Sequence, residues 1–208
     1  MLNKQGFDIW ANKYDQSVKV SEDQSLYPFA GYKKVINTIY NEIMQKKHAL
    51  VLDIGIGTAI LSHRLYDNGH SIDGLDFSAK MIEIAQAKMP KANVLECDFS
   101  AGLPKEIKEK KYDFIVSTYA LHHLNDDEKL TFIKELLPLI TDNGKIFIGD
   151  IAFQNRDNLE DCRKESITYW DDDEFYFVYD EFVVMLQTIC TCEFHPISHC
   201  GGILILTK

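Results

Sequence analysis

Residues 51 to 60 read VLDIGIGTAI, an apolar run suited to a buried strand that is broken by Asp53 and by Gly55 and Gly57, with Ala59 where a third glycine often stands. Gly55 and Gly57 leave no Cβ between the backbone and a ligand and can take conformations closed to other residues, while Thr58 is expected to begin a helix with free amides. Such a loop can hold a nucleotide or serve only as a tight strand-to-helix turn. Two downstream acids favour the nucleotide. Asp76 ends a second apolar run twenty-one residues after Gly55, the separation at which a carboxylate can accept hydrogen bonds from ribose hydroxyls. Asp98 follows a third run in LECDFS, where it could accept from the exocyclic amine of adenine, with Phe99 as an apolar wall.

These features admit NAD or S-adenosylmethionine. A dinucleotide asks for G-x-G-x-x-G/A so that its pyrophosphate rests on a helix N-terminus. Here the sixth position is Ile60, and Asp53 places a negative charge just before the loop. A sulfonium and an ammonium gain from that same carboxylate and need no cradle for a dianion. Electrostatics favour the sulfonium cofactor.

The acids and glycines act together only if the chain presents them on one rim. Strand-like apolar runs occur at 49–54, 71–76, 93–97, 113–118 and 145–150, each short and bounded by Gly, Asp, Asn or Lys. Helical patterns lie between most of them. Ile133, Leu136, Leu137 and Ile140 recur at i, i+3, i+4 and i+7, Asn125 and Glu128 read as a capping pair, and Ser78 caps a helix through Met81, Ile82 and Ala85. Parallel strands need crossovers and are buried on both faces, so the pattern predicts a doubly wound α/β fold. The runs 193–199 and 203–206 are separated only by Cys200, Gly201 and Gly202, too short for a crossover. They should form an antiparallel hairpin, with Pro196 marking an edge strand. Helices are expected at 7–18 and 28–45, within an N-terminal cover over 1–46, and 155–192 forms a variable cover within the same single domain, 1–208.

The 208 residues, 46% hydrophobic, suit one core, with no repeat or low-complexity linker. A net charge of −10 repels the phosphate backbone, so nucleic acid is not an expected substrate. The run Asp171-Asp172-Asp173-Glu174 reads as a solvated face at a helix start. Neither a signal-like start nor a long apolar span is present, which predicts a cytoplasmic protein without membrane insertion. Five cysteines without C-x-x-C suggest reduced thiols. Cys192, His195, His199 and Cys200 lie in a strand-like stretch whose spacing matches no standard zinc pattern, so no metal is expected.

These residues resemble class I S-adenosylmethionine-dependent methyltransferases. VLDIGIGTA is similar to that family's first motif, GLDFSAKMIEIAQAK to its second, LECDFS to its third and YDFIVSTYALHHLNDDEK to its fourth. FDIWANKYD near the start and NGKIFIGD at the fifth strand extend the resemblance over most of the chain, towards small uncharacterised bacterial members. It implies a Rossmann-like seven-stranded sheet of order 3-2-1-4-5-7-6, S-adenosyl-L-methionine as cofactor and S-adenosyl-L-homocysteine as product. By the same resemblance Gly55 and Gly57 contact the methionine moiety, Asp53 partners the ammonium indirectly, Asp76 takes the ribose and Asp98 the adenine amine. Phe77 and Met81 flank the adenine, Thr118 lies beside the methionine moiety, and Tyr14 closes over the sulfonium. Ala59 departs from the third glycine and displaces the turn slightly.

Methyl transfer is an in-line displacement in which alignment and exclusion of water supply much of the acceleration, so a dedicated base is optional. His122 and His123 are the first candidates for one, with packing or helix capping as the alternative role, and Tyr119 and Asp150 stand nearby. The Asn/Asp-Pro-Pro-aromatic motif of amino-group DNA or RNA methyltransferases is absent, as is the acid of a catechol-type magnesium site. Tyr169, Trp170, Phe175, Tyr176, Phe177 and Tyr179 could line a pocket for a small, partly apolar acceptor or form a packing stripe. Three readings follow: a small-molecule methyltransferase, an NAD-dependent oxidoreductase on a similar sheet, or a cofactor-binding protein without turnover.

Overall fold

The computed structural model describes residues 26–208, so Tyr14 and the helix expected over 7–18 lie outside the described residues. Strands β1 (Leu50–Ile54), β2 (Ser71–Asp76), β3 (Asn93–Glu96), β4 (Tyr112–Thr118) and β5 (Ile140–Phe153) pair in parallel. Between them lie α2 (Ile60–Asp67), α3 (Ala79–Lys88), the short α4 (Lys105–Lys108) and α5 (Asp126–Leu136). Helix α1 (Tyr32–Ile43) precedes β1, and α6 (Arg156–Glu165), β6 (Phe177–Val178) and α7 (Tyr179–Leu186) follow β5. The chain ends in the antiparallel hairpin of β7 (Thr191–Pro196) and β8 (Gly201–Thr207), with β8 antiparallel to β5.

The sheet order is β3-β2-β1-β4-β5-β8-β7, the expected path with one correction: the two-residue β6 pairs with the end of β5 as an eighth strand. Its partners, Ala152 and Phe153, lie beyond the run predicted to end at 150, because β5 continues past the rim of its neighbours. Pro196 sits on the edge strand β7, where a missing amide costs no ladder bond.

Alternation within each strand divides the core into two layers. Val51 faces one side with Val35, Ile39, Leu61, Leu65, Ala85 and Leu159, from α1, α2, α3 and α6. Leu52 and Ile54 face the other with Ile107, Ile133, Leu136, Phe182 and Leu186, from α4, α5 and α7. The sheet is therefore apolar on both faces, as the unbroken strand patterns require. Helix α5 stops at Leu136 and tightens into a 3₁₀ turn over Leu137–Leu139, so the helical periodicity read through Ile140 runs one turn too far; Pro138 cannot continue the α ladder.

Both capping readings hold. Ser78 Oγ accepts from the Met81 amide at 3.2 Å. Asn125 accepts from the Glu128 amide while Glu128 accepts from the Asn125 amide, a complete capping box with three acids in the first turn. Asn125→Ala removes this cap and should cost about 1 kcal/mol in urea unfolding, with an unchanged denaturant slope.

Candidate active site at the strand ends

The parallel registers bring the ends of β1, β2, β4 and β5 to one rim: Ile54 lies beside Leu75 and Ser117, and Thr118 beside Gly149. Beyond β1 the backbone takes positive φ at alternate residues, 70° at Gly55, 53° at Gly57 and 63° at Ala59. The amides of Gly55 and Ile56 both donate to the Leu75 carbonyl, at 2.8 and 2.9 Å, which bends the loop towards β2. A Cβ on Gly55 would lie 2.5 Å from that of Ala120, so packing alone demands glycine there. Gly57 differs. A Cβ on it would meet nothing within 4 Å, so its bare face opens on free space.

Ala59 occupies the third left-handed position at a cost of about 1–2 kcal/mol. It is the residue preceding α2, so Thr58 does not begin the helix as expected. Thr58 is buried, and its carbonyl accepts from Lys88 Nζ at 2.6 Å. The left-handed turn at Ala59 delays the helix by two residues.

The Asp76 carboxylate is buried, with Oδ2 accepting from the Gly57 amide at 2.8 Å and Oδ1 from the Ser78 amide at 2.9 Å. Phe77 is half-buried beside it, and Met81 is buried under the first turn of α3. Asp98 is exposed and accepts from the amide and hydroxyl of Ser100 at 3.0 and 2.6 Å. Phe99 turns into the core against Phe132, with centroids 5.3 Å apart. Below the loop, Asp53 is buried; Oδ2 accepts from Ser62 Oγ at 2.5 Å, and Oδ1 has no partner among the described residues. Burial pushes its carboxyl up to about 7.

A second group of side chains gathers beyond β4 and β5. Half-buried Thr118 ends β4, and Tyr119 follows with φ 52°, buried against Phe29 and Tyr32. Asp150 accepts from His122 Nδ1 at 2.6 Å and from the amides of Leu121, His122 and Ile151, at 3.1, 3.2 and 2.8 Å. Glu174 Oε1 lies 3.6 Å from the other ring nitrogen of His122. Burial would lower the His122 pKa, but the two flanking carboxylates hold it above its usual value. His123, its ring 4.2 Å away, is pushed down to about 4 by burial and by His122, and is neutral at pH 7.

Spacing alone does not single out Glu174 or the Tyr27–Trp170–Tyr176 group. Residues 171–174 form a turn rather than a helix start, and Glu174 folds inward onto His122 and the Tyr176 hydroxyl while Asp172 and Asp173 stay exposed. The aromatic run is not one stripe: Tyr169 and Phe175 are exposed, Phe177 is core, and Trp170 and Tyr176 meet Tyr27. Among the described residues no helix is long and apolar enough to cross a membrane.

A family profile described as a methyltransferase domain matches residues 51–144. An uncharacterised methyltransferase of Anoxybacillus flavithermus is 36% identical over 154 residues, 74% of this chain and 69% of that protein. Another, from a Geobacillus species, is 33% identical and spans 84% of this chain and 82% of its own. The chain belongs to the class I S-adenosylmethionine-dependent methyltransferases. Its fold is shared with magnesium protoporphyrin IX methyltransferase of Synechocystis bound to SAH, at TM-score 0.67 and 18% identity over 86% and 85% of the two chains. It is also shared with DhpI bound to SAH, at TM-score 0.69 and 15% identity over 99% and 94%.

The protein is thus an S-adenosylmethionine-dependent methyltransferase rather than a nicotinamide-dependent oxidoreductase. The rim suits that cofactor: bare backbone at Gly57 faces free space, Asp76 is held by two amides, and the orphaned Asp53 oxygen offers a negative partner below the loop. Gly57 would border the methionine portion, Asp76 the ribose, and Asp53 would answer the ammonium charge.

Two outcomes are expected. Gly57→Ala should fold with a loss of only about 1–2 kcal/mol from its left-handed backbone, yet weaken S-adenosylhomocysteine binding more than ~10-fold in calorimetry. Gly55→Ala should chiefly unfold the protein through its clash with Ala120. As for pH, an ammonium set beside Asp53 should favour the ionised form of this carboxyl, which burial pushes up to about 7; the proton would be released on binding, so affinity should rise with pH until the free carboxyl is itself ionised. Asp53→Asn should flatten that rise. An affinity equally pH-dependent in the variant would place the titrating group elsewhere.

Proposed function

We propose that the protein transfers the methyl group of S-adenosylmethionine to a small-molecule acceptor lying over the ends of β4 and β5, by in-line displacement that relies mainly on positioning. The observation that carries this reading is the aromatic cover. Tyr27 stacks on Trp170 at 5.1 Å, and Tyr176 meets Trp170 edge-on at 4.9 Å. The hydroxyls of Tyr27 and Tyr176 are hydrogen-bonded, Tyr176 also donates to Glu174 at 2.8 Å, and Glu174 faces His122. An apolar wall threaded by one polar string suits a compact, partly apolar molecule better than a polymer, which needs an open groove. A net charge of −10 disfavours a polyanion. The Synechocystis protein that shares this fold, a magnesium protoporphyrin IX methyltransferase, accords with the same class of acceptor.

Bound cofactor supplies an activated methyl group and a neutral thioether leaving group. The chain supplies alignment and dryness. His122, hydrogen-bonded to Asp150, fixes the turn after β4 and its neighbour His123. His123, neutral at pH 7, accepts a hydrogen bond from the O–H or N–H of the acceptor, and Tyr119 bounds the same space. Tyr14, Thr118, Phe77, Met81, Asp98 and Phe99 complete the proposed surroundings of the cofactor, although Phe99 does so from within the core.

Methyl-labelled cofactor incubated with a bacterial extract and then separated by size tests the reading. Label is expected in the low-molecular-weight fraction; label confined to protein or nucleic acid would overturn it. With an acceptor in hand, His123→Ala should keep at least about a tenth of kcat, whereas a loss approaching ~1,000-fold would make the histidine an essential base.

A further inference from the structure

A cluster that the cofactor and acceptor sites do not use lies where α6 meets the turn between β7 and β8. Cys162 near the end of α6 and His199 and Cys200 in the turn bring two sulfurs and an imidazole nitrogen within 4.8 Å of one another. Both thiols are buried, and His199 is exposed. The Cys200 thiol also contacts the Pro28 carbonyl at 3.8 Å and Ser198 Oγ at 3.9 Å. A cavity of about 350 Å³ adjoins the cluster, lined by Cys162 and His199 together with Asn158, Asp161 and Glu165.

The set differs from the one visible in the sequence. Cys192 is buried in the core layer on the opposite face of the sheet from Cys200, and His195 turns towards Glu193 at 3.7 Å. The hairpin therefore separates Cys192 from Cys200, while α6, packed back against the sheet, delivers Cys162 in its place.

We propose that Cys162, His199 and Cys200 form a binding site for one zinc ion, with its fourth position turned towards the adjacent cavity. Two thiolates and an imidazole are borderline-soft donors that favour zinc over magnesium or calcium, and three protein ligands leave a tetrahedral ion one position for water or a carboxylate. Asp161 and Glu165 line the same cavity and carry the carboxylates that could supply such an oxygen. Binding breaks the two S–H bonds, forms two S–Zn bonds and releases two protons to solvent, with no change of oxidation state. The ion would tie α6 to the β7–β8 turn and so fasten the segment that covers the rim.

The full-length protein, reduced and stripped with a chelator, is titrated with zinc against a chromophoric indicator, and separately with cobalt(II). One zinc per chain and a thiolate-to-cobalt charge-transfer band are expected. His199→Ala changes an exposed side chain and spares the fold; it should weaken zinc binding at least ~10-fold, as should Cys200→Ser, whereas Cys192→Ser should leave it unchanged. The cobalt spectrum of the unsubstituted protein guards against a cysteine variant that fails to fold. The proposal is overturned if the reduced protein takes up no zinc, if cobalt gives no thiolate band, or if His199→Ala binds as tightly as the parent. Zinc uptake lost only with Cys192→Ser would overturn it too.

Discussion

The Asp76 carboxylate, at the end of the second strand, holds the cofactor rim together. It is buried, and it is tolerated there because it accepts from the amides of Gly57 and Ser78, which belong to two different loops. A buried carboxylate without such partners would cost several kcal/mol. One side chain thus fixes the glycine turn against the start of α3. The Leu75 carbonyl strengthens the same joint by accepting from Gly55 and Ile56. Bare backbone and a fixed carboxylate face the ligand space before any ligand arrives, which lowers the ordering cost of binding.

A second carboxylate has the matching role on β5, across β1 and β4 from Asp76. Asp150 accepts three amide bonds and one imidazole bond, and this shapes the turn after β4 around His122. His122 is consequently committed on both ring nitrogens, to Asp150 and towards Glu174. Its raised pKa reflects those carboxylates overcoming burial, while burial first and the neighbouring His122 second depress His123. The two adjacent histidines are thus set apart: the carboxylates favour the protonated form of the structural His122, and burial favours the neutral form of His123.

Both hubs lie at the carboxyl ends of parallel strands because that topology ends every strand on one rim and leaves the following loops free of ladder bonds. The opposite rim carries polar contacts of another kind: Asp113 accepts from the Leu50 amide and from Lys46, and Asp73 from Tyr112 and Lys110. Those contacts fasten strand starts to the connections entering them. Chemistry and scaffolding are thereby divided between the two ends of the same sheet.

The strands, the hairpin, the edge position of Pro196, both helix caps and the glycine turn are legible in the sequence, because each is written in near neighbours: alternation, a capping residue three positions from its partner, a missing amide. The acids at the strand ends are legible for the same reason. Residue type misplaces the start of α2 at Thr58 because it does not announce a left-handed alanine, and it misses β6 because a two-residue strand has no period. Only the tertiary structure decided that Glu174 turns inward while Asp172 and Asp173 stay exposed, that the pKa values of His122 and His123 shift in opposite directions, and that Cys162 rather than Cys192 meets Cys200. Each depends on which helix or loop packs over which face of the sheet, a choice fixed by burial summed over the whole core and carried by no local spacing.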